Sequence, residues 1–433
     1  MEVAKKNLRS HLGVRVARGL AICVLPSLVA VFVAGTSFGA PLYPWKPGIV
    51  DLDVYLKAAA ALLAGHDPYH LGTGLPFLYP PFAAILAIPL TWLPHTGLQI
   101  GWAVAVALAV IAILHRFGLT GWRLSLISAA AVRVVEPINQ TVAFGQLGVF
   151  LVALVLLDLV PGPRVIPERR GGRRLPQGLL VGLAAAIKLT PGLFFVYLLA
   201  IRKFRAAAVA IGTMIATALI ALLVAPGPSI TFWGRLAHGD SGLGNSIIYL
   251  INQSVLGAST RFFGYDPVGN GIGLTVSAVA AILGVVVAVG WHRRGDEAAA
   301  VSLCGLATLL ASPVSWSHHF VWVAPLGILY ATRSSWPAWY RIVGLFFVGW
   351  VVTAPYKFLK SGHDLELGYH WWQDLIGAAT PILGLIVLVA SLIALRGRYP
   401  TGPSSPAGVA DVPPPTEQHN PEPRQLTSAT SRS

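Results

Sequence analysis

Two carboxylates, Asp51 and Asp53, stand in the run VDLDVY at the edge of an apolar stretch. Only 11% of the chain is charged and most of that charge is basic, so acidic groups beside a hydrophobic span are costly to place and point to chemistry. A carboxylate at a lipid–water boundary suits a general base that takes the proton of an attacking hydroxyl. The D-x-D spacing also fits a divalent cation on a diphosphate. The sequence has no nucleotide-binding fold, however, so a metal is possible but not implied, and no cofactor is expected. The plain alternative is a solvated start to a loop.

Other polar groups sit where apolar sequence makes them conspicuous. SWSHHFVW carries His318 and His319 at the end of an apolar run, suited to contacting a phosphate or orienting the base. Both rings on one metal ion are disfavoured, because neighbouring helical residues diverge by about 100°. Lys188, in AAAIKLTPG, is a cation inside an apolar run; it needs an anion or a path to water. It either snorkels to the interface or neutralises a lipid phosphate. Arg261, in NQSVLGASTRFFG, poses the same question, with Asn252 nearby, and Gln146 lies in a polar connection. FLYPPF reads as a turn with interfacial aromatics, and YHWWQD as an aromatic belt, with sugar stacking by Trp371 or Trp372 as the alternative.

Elements that position these groups must lie in a membrane. The chain has 433 residues, 55% of them hydrophobic, and a mean hydropathy of +0.68. Its continuous apolar runs suit a roughly 30 Å hydrocarbon core, and they predict an all-α polytopic membrane protein with about twelve crossings and long outer loops, not a β-barrel. The net charge of +14 falls in short clusters between spans. That is the positive-inside pattern, and it argues against a nucleic-acid partner. Cys23 and Cys304 both lie in apolar stretches, so no disulfide framework is expected. The basic N-terminus followed by a helix at 17–37 reads as an uncleaved anchor.

Outer loops are expected at 38–80 and 226–271, and NQTVAFGQ links two spans outside. Residues 176–201 should form a hairpin of short helices with KLTPG at its outer tip. Both termini are then cytoplasmic. A transmembrane domain spans 1–398 and a Pro/Ser/Thr-rich tail, 399–433, is expected to be disordered in the cytoplasm. The candidate residues collect on the outer face of the plasma membrane. No internal repeat is apparent, which speaks against a transporter of inverted repeats.

Taken in order, VDLDVYLKAAAALLAGHDPY, FLYPPFAAILAIPL, FGQLGVFLVAL, GLLVGLAAAIKLTPGLFFVYLL, NQSVLGASTRFFG and SPVSWSHHFVWVAPL resemble glycosyltransferase family 87, over residues 40 to 330. The resemblance implies a GT-C fold, a polyprenyl-phosphate-mannose donor, and a glycolipid or lipoglycan acceptor of the phosphatidylinositol mannoside or lipoarabinomannan type. It implies α-mannosyl transfer with inversion, commonly to a 2-hydroxyl. It puts the catalytic aspartate on Asp51, leaves Asp53 and Tyr55 as accessory, and places the late histidine on His318 or His319. Rival readings are a lipid-linked glycosyltransferase for arabinose or glucose, and a non-enzymatic carrier of lipid-linked sugar.

Overall fold

The structure, a computed structural model, describes residues 48–71, 75–163, 175–240, 242, 247–362 and 364–397. The expected anchor helix at 17–37 with Cys23, all but the first residue of the basic segment 163–174, and the tail 399–433 lie outside the described residues.

Apolar runs punctuated by Pro and Gly give a chain of helices. In order they are α1 (Val50–Leu63), α2 (Pro81–Ala87), α3 (His95–Arg116), α4 (Gly121–Val134), α5 (Glu136–Phe144), α6 (Gly148–Leu159), α7 (Leu179–Ile187), α8 (Leu193–Ala200), α9 (Phe204–Val224), α10 (Pro226–Ala237), α11 (Val255–Phe263), α12 (Pro267–Arg293), α13 (Glu297–Ala311), α14 (Val323–Thr332), α15 (Ala338–Thr353), α16 (Trp371–Gly377) and α17 (Ala379–Ala394). Among the described residues the only β-pairing is an isolated antiparallel bridge between Asn252 and Trp316.

Four of these segments are long and apolar enough to cross a membrane: α3, α9, α12 and the stretch 338–358 that begins with α15. Two bent pairs raise the number to six, α5–α6 at 119° and α16–α17 at 57°. Other apolar helices are shorter: Pro81–Trp92, Thr190–Ala200 and Glu297–Ala311. NQTVAFGQ is one place where the folded chain departs from the expected loop. Pro137 opens α5 as a first-turn proline, residues 139–144 continue it, and Gly145 ends it at φ 74°. A Cβ on Gly145 would lie 2.5 Å from Leu52 Cβ, so only glycine lets α5 end against α1.

The core is organised round α13, which is buried on every face from Ala298 to Leu310 and is largely apolar, with Ser302 and Thr308 as its buried polar groups. The Trp322 ring lies flat on Gly305, where a Cβ would come within 2.2 Å of it.

The expected hairpin forms. Gly178, at the foot of α7, packs against Ala206 in the first turns of α9, where a Cβ would lie 2.0 Å from the Ala206 carbonyl. The second arm, α8, ends only four residues before α9 begins, so both feet share one level and Lys188 stands at the tip. Asp158 Oδ2 accepts the backbone N–H of Gly178, Leu180 and Val181 at 2.9, 3.1 and 3.1 Å, which satisfies the free donors at the start of α7. At the opposite end of the bundle the basic groups are tied together. Glu297 accepts from Lys203 Nζ at 3.2 Å and lies 2.7 Å from His292 Nδ1. Arg333 Nε pairs with Asp296 at 3.2 Å, and the Arg294 guanidinium donates to the carbonyls of Leu395 and Gly397.

Candidate active site

Asp51 lies in the first turn of α1, outside the candidate membrane-spanning helices, where the helix dipole favours a negative charge. The turn is held under strain. Ile49, fully buried and with a β-branched side chain, sits at φ 37°. Its N–H donates to Ala143 O at 2.9 Å and its carbonyl accepts from Asp53 N at 2.9 Å, so both neighbouring elements over-determine the conformation.

Gln146, one residue past the break that ends α5, hydrogen-bonds the Asp51 carboxyl. Its Oε1 lies 3.3 Å from the Tyr55 hydroxyl, which in turn lies 3.0 Å from the Tyr79 hydroxyl. Burial holds the Asp51 carboxyl above its ordinary range. The Gln146 hydrogen bond and the charge of Lys188 oppose that shift. A carboxylate made more basic but kept ionisable is what a general base requires.

Lys188 faces the same place from the hairpin tip. Its Nζ lies 2.6 Å from His319 Nε2 and 5.2 Å from the centroid of the Tyr79 ring. His319 is itself fixed, because its Nδ1 accepts the Trp316 N–H at 3.1 Å. The turn that carries it is stitched to residues 251–253 by Gln253 N→Ser315 O (2.7 Å) and Ser317 N→Ile251 O (3.0 Å). Asn252 Oδ1 accepts from Ser315 N at 3.0 Å and from Ser254 N at 3.2 Å. His318 is buried, edge-on to Phe144, and its Nε2 has no hydrogen-bond partner.

Lys188 and His319 line a cavity of about 410 Å³. Its walls are mainly apolar: Phe77, Leu78, Leu189, Leu193, Phe232 and Leu236, with the ion pair of Arg235 and Asp240 (2.9 Å) also on the lining. Tyr79 also lines it, which places one ring between the cavity and the Asp51–Gln146–Tyr55 set.

The structure therefore brings together Asp51, Tyr55, Gln146, Lys188 and His319, and puts His318 directly behind them. Asp53 diverges from Asp51; half-exposed, it lies 3.6 Å from His95 Nε2. Among the described residues no three His, Cys, Asp or Glu side chains converge as a metal site. Asn252 and Arg261 do not line the cavity. Arg261 is buried and donates to the carbonyls of Tyr249 (3.1 Å), Asn252 (2.9 Å) and Gly377 (3.2 Å), so it braces the segment that braces His319. Arg261→Met should cost about 2–4 kcal/mol of stability by leaving those carbonyls unpaired, while turnover per folded molecule stays within about threefold. Thermal unfolding combined with activity normalised to folded protein checks it.

Two residues the sequence left out belong here. Tyr79, read as part of an interfacial belt, lies against both Tyr55 and Lys188. Arg235, in the second long loop, carried no pattern to mark it. Aromatic spacing alone does not separate a cavity wall from a membrane belt.

The model of glycosyltransferase family 87 matches residues 77–313. The chain is 29% identical to a polyprenol-phosphate-mannose-dependent alpha-(1-2)-phosphatidylinositol mannoside mannosyltransferase of Mycobacterium tuberculosis, over 93% of this chain and 98% of that protein. A protein of the same description from Mycolicibacterium smegmatis is 30% identical over 82% of this chain and 86% of its own. A phosphatidylinositol pentamannoside mannosyltransferase of M. tuberculosis, with the same donor dependence, is 33% identical over 66% of this chain and 67% of its own. No solved structure matches the chain.

Proposed function

Because this chain belongs to glycosyltransferase family 87, we propose that it transfers mannose from polyprenyl-phosphate-mannose to a mannosylated phosphatidylinositol-type glycolipid, forming an α-(1→2) linkage with inversion. The observation that carries this reading is Lys188 on the lining of a largely apolar cavity, with its charge acting on Asp51 just behind the Tyr79 ring that lines the same cavity. The apolar walls suit an isoprenoid chain, with its phosphate against Lys188 and His319. Asp51 takes the proton of the acceptor hydroxyl as that oxygen attacks C1 of mannose. The bond from C1 to the phosphate oxygen breaks, and its electron pair leaves on the polyprenyl phosphate. Lys188 balances the charge that develops there, a role that is worth most where water is excluded. Tyr55 and Gln146 hold the base in place.

The fold is of GT-C type in this reading, with the shorter apolar helices completing about twelve crossings. The site faces the periplasm. The gathering of Lys203, Arg294 and Arg333 at the other end of the bundle supports that sidedness through the positive-inside rule.

The test supplies membranes with radiolabelled polyprenyl-phosphate-mannose and a phosphatidylinositol mannoside, followed by linkage analysis of the product. A 2-linked α-mannoside is expected; turnover only with a different lipid-linked sugar would overturn the donor, and binding without transfer would overturn the enzyme. An impermeant thiol reagent should label Asp51→Cys from the periplasmic side, and labelling only from the cytosol would overturn the sidedness.

A pH effect follows from the environment of the base. Gln146 stabilises the charged form of Asp51, so Gln146→Ala should move the acid limb of the rate profile to higher pH. A limb that stays in place or moves down would count against Asp51 as the base.

A further inference from the structure

Opposite the cavity, behind the histidines, lies a buried polar cluster that the mechanism leaves unused. Glu136, the first residue of α5, accepts from Ser317 Oγ at 3.0 Å and forms an ion pair with Lys357 through the same oxygen. Both partners of the pair are largely buried, with side-chain exposures of 15% for Lys357 and 12% for Glu136. Lys357 comes from a distant connection, in a 3₁₀ turn that follows Ala354. Ala354 is buried and sits at φ 45°, a conformation unfavourable for a residue with a Cβ. Glu136 Oε2 has no hydrogen-bond partner. A buried carboxylate with one unsatisfied oxygen lowers stability, as does the strained Ala354 that leads into Lys357, and such features persist where they serve function.

The same helix governs the other half of the site. The far end of α5 receives the Ile49 N–H through Ala143, ends at the glycine that seats Leu52, and delivers Gln146 to Asp51. Its near end holds Ser317, two residues before His319. One nine-residue helix thus spans from the base to the turn that supports the cation.

We propose that Glu136 is a positioning residue for mannosyl transfer: through Ser317 it sets the turn that presents His319 to Lys188, at a fixed distance along α5 from Asp51. This rests on the catalytic reading above.

The experiment compares Ser317→Ala, Ser317→Thr, Glu136→Gln and Glu136→Ala as purified full-length protein, with rates normalised to folded enzyme from thermal unfolding. Ser317→Ala should lower kcat about tenfold and Glu136→Ala about a hundredfold, because small displacements of a reacting group are expensive, while the KM for acceptor stays within about twofold. Ser317→Thr keeps the hydroxyl and should recover most of the rate. Glu136→Gln keeps an acceptor for Ser317 and should fall between wild type and Glu136→Ala. If Glu136→Ala fails to fold, the two Ser317 variants decide the matter. Unchanged kcat per folded molecule in Ser317→Ala overturns the proposal, as does a Ser317→Thr variant as impaired as the alanine. Asp51→Asn is assayed alongside. If it is inactive while the Ser317 and Glu136 variants are normal, the positioning role alone fails. If it retains full transfer, the catalytic reading fails and this proposal with it.

Discussion

Asp51→Asn is expected to lower kcat by about 10³-fold, within the range that one general base supplies. The substitution keeps the shape of the side chain and its contact with Gln146, so the loss would report the missing basicity. Protein stability should not fall. The folded protein holds the Asp51 proton more tightly than the unfolded chain does, because burial raises its pKa. Stability therefore declines as pH rises from the ordinary carboxylate value through the raised one, and at neutral pH the buried charge is a net cost. An amide removes that cost. Unfolding temperature equal to or above wild type, together with lost transfer, is the expected pair of results. An active Asp51→Asn enzyme would remove the base from the mechanism.

The second large effect is expected at Lys188. Lys188→Met preserves most of the side-chain volume and removes the charge. Loss of one preorganised group that balances a developing oxyanion typically costs about 10²-fold or more, so kcat/KM for the polyprenyl-phosphate donor should drop by about that factor. The acceptor KM, measured at saturating donor, should change little. Equal loss toward donor and acceptor would mean that Lys188 serves folding, and a variant as active as wild type would move the phosphate elsewhere. The pairing with His319 at 2.6 Å adds a distinction. Lys188→Arg keeps the charge but not the compact geometry at the hairpin tip, and should recover only part of the donor effect.

Much of this molecule was legible without coordinates. The apolar runs required a membrane-embedded helical protein, because backbone groups in hydrocarbon must be satisfied within each segment. The hairpin around KLTPG follows from two basic clusters, PRVIPERRGGRR at 163–174 and RKFR at 202–205, that stand too close for two full crossings between them. Asp51, Lys188 and the histidine pair were visible because charged or polar side chains in apolar surroundings are costly and so stand out. The motifs in sequence order also pointed to the family that residues 77–313 match.

Other features had no signature along the chain. Arg261 and Lys188 look alike in sequence, each a cation in a mostly apolar stretch. Only the fold separates them: one guanidinium is occupied by the carbonyls of Tyr249, Asn252 and Gly377, and the other cation faces the cavity. His318 and His319 are adjacent and chemically identical, and the turn that begins after Trp316 decides which ring meets Lys188. Asp51 and Asp53 are divided the same way, by the helical rotation of α1. Amino-acid type and spacing thus determined the medium, the helical class and the kinds of group available for chemistry, since these follow from transfer energies local to each segment. The partnering of Glu136 with Ser317 and Lys357, 181 and 221 residues away, was settled only by tertiary packing. Contacts between remote segments depend on how helices pack, and no local property of the chain encodes that.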